Sequence, residues 1–179
     1  QQAIQKAQTY IESGYEYVVD IDLKQYFDTI NQDKLMYLLT RTIKDKRLLK
    51  LINRFLKCGV SENGVVTKSV IGVPQGGPLS PILSNIYLNE LDKELETRGL
   101  KFVRYADDIQ IYVKSERAGQ RVLERITKYL DKTLKVEVNL EKSAVRKYNH
   151  TKFLGFSFYI HKGVIKISIH PKSRLKFKN

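Results

Sequence analysis

The chain has 179 residues, which is room for one domain at about 100 to 200 residues each, and its 42% apolar content is enough for an ordinary core. Lys and Arg number 32 against 19 Asp and Glu, a formal charge of +13, and +9 of it lies after residue 140, where ten basic residues meet the single acid Glu141. One cysteine, Cys58, excludes an internal disulfide and a thiolate zinc site, and no secretion signal or run of about 18 apolar residues is present, so the expectation is a cytoplasmic protein without a membrane span. The basic block is the electrostatic footprint of a nucleic-acid partner, although solubility or an anionic membrane surface gives the same arithmetic. With no Met at the start and a lysine-rich stretch at the end, the sequence reads as a piece of a longer protein.

Residues 1–13 predict a polar helix, and Gly14 separates it from Tyr15 to Leu23, a β-rich run that reads as a buried strand. Asn31 is placed as an N-cap. Two helices follow, Asp33 to Ile43 and Asp45 to Cys58, the second with Leu48, Leu49, Ile52, Phe55 and Leu56 on one face and Gly59 as its stop. Asn63-Gly64 is a hairpin turn signal between two short strands. Three of the four prolines fall in Gly72-Val-Pro-Gln-Gly-Gly-Pro-Leu-Ser-Pro81 and require a loop there. Ser80 then caps a helix through Ile82, Leu83, Ile86, Tyr87 and Leu91 toward Arg98, with Gly99 as its stop.

Lys101 to Tyr105 and Ile109 to Lys114 read as strands around an Ala106-Asp107-Asp108 turn, followed by a helix over Glu116 to Asp131. The expected remaining strands are Lys135 to Val138, Phe153 to His161 and Val164 to Ile169, with a turn at Lys162-Gly163. Irregular alternation with several hairpins predicts α+β with a mainly antiparallel sheet packed on helices.

Acids in apolar strands are the unusual feature: Asp20 and Asp22 in Val18-Val-Asp-Ile-Asp-Leu23, and Asp107-Asp108 at the bend between two strands. A buried carboxylate is costly unless paired or bound to metal. The structural alternative is that Asp107-Asp108 is only a turn and that Asp20 and Asp22 face solvent on an edge strand. Taken together, a strand with one carboxylate beside a hairpin with two can direct three acids to one point, and hard oxygen ligands select Mg²⁺ or Mn²⁺. Two such ions about 3.5 to 4 Å apart support phosphoryl or nucleotidyl transfer.

Five motifs now stand in order: Asp22 with Phe27-Asp28; the 72–81 loop followed by Asn85-Ile-Tyr-Leu-Asn-Glu-Leu-Asp92; Tyr105-Ala-Asp-Asp108; Asn139-Leu-Glu-Lys142; and Phe153-Leu-Gly-Phe156. The combination resembles reverse transcriptase palms, and most closely the group II intron-encoded reverse transcriptase/maturase family, over residues 15–170. The resemblance implies a right-hand polymerase palm with part of the fingers over residues 1–170. Residues 171–179 would start the connection to a thumb and maturase region, and the N-terminal fingers and thumb would lie outside the sequence.

By the same resemblance, Asp22, Asp107 and Asp108 hold two Mg²⁺ ions, for which Mn²⁺ can substitute, and Asp20 is a neighbouring structural acid. Phe27 matches the gate beneath the sugar of an incoming dNTP, with a core aromatic as the alternative reading. Gln75 and Gly76 match the loop contacting nucleotide and template. Lys142 matches the general acid for the leaving pyrophosphate, with a plain surface lysine as the alternative. Phe153, Leu154 and Gly155 match the primer-gripping turn, and the basic tail with Lys172 and Arg174 would contact nucleic acid. The implied partners are an RNA template or intron RNA, a DNA primer and dNTP, with self-association through uncovered apolar surface. Two alternatives stay open: a reverse transcriptase of another bacterial lineage, and an idle RNA-binding palm.

Overall fold

The computed structural model describes residues 1–58, 60–62, 65–67, 71–74 and 77–176. The chain divides into two compact units, one of Gln1–Asp22, Glu94–Thr127 and Val138–Asn179, the other of Leu23–Lys93 and Lys128–Glu137.

The first unit is built on a four-stranded antiparallel sheet. Its strands are β1 (Tyr17–Ile21), β4 (Lys101–Tyr105), β5 (Asp108–Val113) and β6 (Ala144–Lys147), in the order β4-β5-β1-β6. Strand β1 is therefore internal. Both of its faces are covered, which is why Val18 and Val19 are adjacent in sequence yet both fully buried. Helix α1 (Gln2–Glu12) turns Ile4, Ala7 and Ile11 inward at helical spacing, and they join Val18, Val103 and Tyr112 in one core. On the other face, Gly119 of α6 (Glu116–Tyr129) sits against Val145 and Val113, so close that a Cβ there would meet Val145 at 2.5 Å. The hairpin β7 (Phe156–His161) and β8 (Val164–Ile169) adds Phe158 to the α1 core, and a short helix α7 (Pro171–Lys176) follows it. Its connection is the expected Lys162-Gly163 turn, both residues at positive φ.

The second unit is mainly helical. It holds α2 (Tyr26–Thr29), α3 (Gln32–Thr42), α4 (Lys46–Lys57) and most of α5 (Ser80–Thr97), together with the β2–β3 ribbon (Val60–Glu62 and Val65–Thr67). The caps read from sequence are present: the Asn31 side chain accepts from Lys34 N at 2.8 Å, and Asp45 accepts from Arg47 N at 2.7 Å. Buried polar groups are satisfied by backbone. Tyr26 Oη donates to the Ser84 carbonyl at 2.8 Å, and Gln32 Nε2 donates to Leu56 and Gly72 carbonyls at 3.1 and 2.9 Å.

Several expectations are corrected. Residues 135–138 form no continuous strand, only an isolated β-bridge at Val138; the edge partner of β1 is Ala144–Lys147 instead. The helix expected to stop near Asp131 passes into a π turn, Leu130–Leu134, which keeps both leucines fully buried before Lys135 closes it at φ +55. Ser80 is no cap, because its hydroxyl donates back to the Pro74 carbonyl and it is already helical. Leu48, grouped in the sequence with Ile52 and Leu56 on one face, is 43% exposed. The Asn63-Gly64 turn and the Gly59 stop lie outside the described residues. No helix among the described residues is long and apolar enough to cross a membrane.

Candidate active site

The carboxylates are arranged by the β1–β5 register. Asp20 pairs with Gln110 and Ile21 with Ile109, so the next step sets Asp22, just past the end of β1, across from Asp108 at the start of β5. Side chains alternate along strands, which puts Asp20, Asp22, Asp108 and Gln110 on one face. Asp108 opens β5 opposite Tyr105, so the turn proper is only Ala106-Asp107, with Ala106 in the left-handed region at φ +54. Arg104 Nη1 donates to the Ala106 carbonyl at 2.9 Å and holds that conformation. Strain of this kind in a non-glycine residue is typical of functional turns.

Asp107 and Asp108 are exposed and Asp22 is half-buried. Partial desolvation pushes the Asp108 carboxyl above its ordinary range, the negative charges of Asp107 and Asp22 push it further, and Lys152 opposes them. Asp22, Asp107 and Asp108 thus form one electrostatic group. They do not form a closed coordination shell: among the described residues no three His, Cys, Asp or Glu side chains stand together as a ready-made ligand set. Like charges at the mouth of a hairpin keep their distance.

Asp20 lies deeper on the same face, in a drier network. Burial raises its carboxyl to about 6, opposed by a hydrogen bond from Gln110 and by Arg146, and assisted by Asp108 and Asp22. Gln110 is fully buried; its Nε2 donates to Asp20 Oδ1 and to the Lys152 carbonyl, each at 3.4 Å, while its Oε1 accepts from Tyr112 Oη at 2.8 Å. Arg146 Nη1 stands 3.9 Å from Asp20 Oδ2.

The Asn139-Leu-Glu-Lys142 segment forms a turn against Asp22. Asn139 N donates to the Asp22 carbonyl at 2.8 Å, and Asp22 N donates to Ser143 Oγ at 3.0 Å. Lys142 is exposed, and the lysine that bears on Asp108 is Lys152. In Phe153-Leu-Gly-Phe156, Phe153 and Phe156 exchange backbone hydrogen bonds at 2.9 Å around Leu154 and Gly155, both at positive φ. The Phe153 ring is 2% exposed and belongs to the core, so only the turn itself is offered outward. Leu154 lines a surface groove with Lys6, Arg104 and Tyr105. Lys172 and Arg174 are exposed, their backbone N–H groups donating to His170 Nδ1 and the His170 carbonyl.

Within the second unit, Phe27 is half-buried with its ring 5.4 Å from that of Tyr26, and its carbonyl accepts from Val73 N at 2.7 Å. The start of the proline-glycine loop is thereby fastened to the Phe27 backbone. Gln75 and Gly76 lie outside the described residues. Sequence reasoning missed Gln110, Arg146, Ser143 and Lys152. The available signals were a polar residue inside Ile109-Gln-Ile-Tyr-Val113 and a lysine directly before the Phe-Leu-Gly turn.

An antiparallel sheet with helices on both faces and carboxylates at one strand end is the palm arrangement, and its backbone matches apo telomerase from Candida tropicalis with a TM-score of 0.69. That likeness spans 96% of this chain and 36% of the telomerase at 15% identity, and it concerns the fold alone. The family model for reverse transcriptase (RNA-dependent DNA polymerase) matches residues 1–158. Protein YkfC of Escherichia coli (strain K12) is 30% identical over 92% of this chain and 51% of its own length. The group II intron-encoded protein LtrA of Lactococcus lactis subsp. cremoris is 30% identical over 90% of this chain and 38% of its own length. The chain belongs to the reverse transcriptase family. It spans about half or less of the length of these relatives.

Proposed function

We propose that this chain carries the catalytic palm of an RNA-dependent DNA polymerase working by nucleotidyl transfer, within a protein that also assists the splicing and mobility of a group II intron. The observation that carries the reading is the placement of Asp22 across from Asp108, with Asp107 beside it and the Asp108 carboxyl raised by its acidic neighbours. Mutually repelling oxygen donors without His or Cys fit hard divalent cations, so Asp22, Asp107 and Asp108 are the residues to hold Mg²⁺ or Mn²⁺. When bound, two such ions lower the pKa of a primer 3′-hydroxyl and offset the charge of the triphosphate.

The remaining roles belong to other residues of the motifs. Phe27 lies under the deoxyribose, Gln75 and Gly76 contact the nucleotide and template, and the turn at Leu154 and Gly155 supports the primer. The 3′-hydroxyl releases its proton to solvent, its oxygen attacks the α-phosphorus and the bond to the β-phosphate breaks. The departing pyrophosphate takes a proton from Lys142. Lys172 and Arg174 hold phosphates of the RNA template or primer. Self-association of the chain is checked by sizing.

In the full-length protein, Asp22→Ala or Asp107→Ala should abolish DNA synthesis while RNA binding stays nearly unchanged. The 179-residue chain should melt higher with millimolar Mg²⁺ or Mn²⁺, and Asp107→Asn should reduce that shift. Substantial synthesis by either alanine variant, or a melting curve indifferent to metal, overturns the reading.

A further inference from the structure

Helix α4 carries more positive charge along one face than its own stability explains. Arg47, Lys50, Arg54 and Lys57 recur at three- and four-residue steps, so they share one face about 15 Å long at 1.5 Å rise per residue. All four are exposed, as is Leu51 between them, while Ile52 and Leu56 on the opposite side are buried in the second unit. Spacing of this kind places each cation beside the next, which is repulsive on an isolated helix. The helix dipole favours Arg54 and Lys57 in the last turn but disfavours Lys46 and Arg47 in the first, so it accounts for only part of the pattern.

Three other cations of the same unit are committed to protein partners. Lys34 Nζ donates to the Thr133 carbonyl, Lys44 Nζ donates to the Thr40 and Arg41 carbonyls at 3.2 Å, and Arg41 pairs with Glu90 at 3.3 Å. None of the four α4 residues has an ion pair among the described residues. The one acid of the segment, Asp45, is spent on capping the backbone amides of Arg47 and Leu48. Four unpaired cations in line on a rigid helix, anchored by its apolar side, suit a polyanion that runs along the surface. A membrane-lying helix presents the reverse arrangement, with its apolar face outward.

We propose that the outward face of α4 is a docking strip for the phosphate backbone of an RNA strand, engaging Arg47, Lys50, Arg54 and Lys57. The choice of RNA rests on the polymerase reading above; the strip itself rests on charge complementarity. Because it lies outside the basic tail, it assigns part of the nucleic-acid surface to the second unit.

The test uses the 179-residue chain and its quadruple variant R47Q/K50Q/R54Q/K57Q, with labelled single-stranded RNA titrated across a range of salt. Each lost phosphate contact should lower the slope of log affinity against log salt by about 0.7, so loss of all four lowers it by about 2.8. The variant should melt no lower than the parent, since glutamine keeps helix propensity and removes repulsion. If it misfolds, K50Q/R54Q carries the same test with an expected change of about 1.4. An unchanged salt slope overturns the strip, as does loss of binding to anionic vesicles with RNA binding intact. In the full-length protein, Asp108→Asn keeps the α4 salt dependence while losing DNA synthesis. Synthesis surviving in Asp108→Asn sinks the polymerase reading and leaves the strip standing on its own binding curve.

Discussion

Asp22 and Ser143 are joined by a hydrogen bond from the Asp22 amide to Ser143 Oγ at 3.0 Å, although they lie 121 residues apart. The Ser143 hydroxyl is 3.4 Å from the Asp22 carbonyl, which also accepts from Asn139 at 2.8 Å. The acid that leaves β1 is therefore held in place by the turn containing Lys142, and Ser143 is its positioning residue. Ser143→Ala would leave the Asp22 amide without its partner, at a cost of about 1 to 2 kcal/mol in chemical denaturation. Because small displacements of reacting groups carry large rate penalties, DNA synthesis by the full-length protein should fall by roughly tenfold or more. Ser143→Thr keeps the hydroxyl and should restore most of it. A stability loss with unchanged synthesis would return Ser143 to a purely structural role.

The Asp20 carboxyl should make stability depend on pH. Burial raises it from 3.8 to about 6, so between those values the folded chain holds a proton that the unfolded chain has released. The stabilisation by the neutral form is fully present below the ordinary value and is lost as pH rises through about 6. Asp20→Asn should therefore be more stable than the parent at neutral pH by about 2 kcal/mol, allowing for partial exposure. The advantage should vanish in acid. Melting series in a chelating buffer check this, and a difference independent of pH contradicts it.

Gly72 is required twice over. It sits at φ +86, and a Cβ would stand 2.7 Å from the Asp28 carbonyl oxygen and 2.8 Å from that of Phe27. Gly72→Ala should cost about 2 kcal/mol or more and loosen the loop that Val73 ties to Phe27. Gly99 provides the comparison, at φ +66 with nothing within 4 Å of its Cβ position. Gly99→Ala should cost only the backbone strain, about 1 kcal/mol. Equal costs at the two positions would mean that crowding at Gly72 is relieved without effort.

Two effects oppose each other at Gly119. Alanine improves helix propensity by about 1 kcal/mol, but its Cβ would meet Val145 Cγ1 at 2.5 Å. Overpacking costs about 1 to 3 kcal/mol, so Gly119→Ala should be destabilising on balance. Adding Val145→Ala should recover part of the loss, and a stabilised single variant would show that β6 yields.

The sequence alone determined those features whose causes are local. Asn31 and Asp45 cap their helices because their side chains reach amides two or three residues ahead, and the acid hairpin is legible because charge interrupts an alternating apolar run. The motif order over residues 15–170 pointed to the family before any contact was known. The tertiary structure decided which strand lies inside, and hence that Val18 and Val19 are both buried while the strand expected at 135–138 gives way to Ala144–Lys147. It also decided that Asp22 faces Asp108, that Gln110 supports Asp20, and that Lys152 bears on the acids while Lys142 lies exposed at the turn that holds Asp22. These are choices of strand order and register, made by pairing and burial between segments about 90 to 120 residues apart, and strand propensity depends on that context more than on the residues themselves.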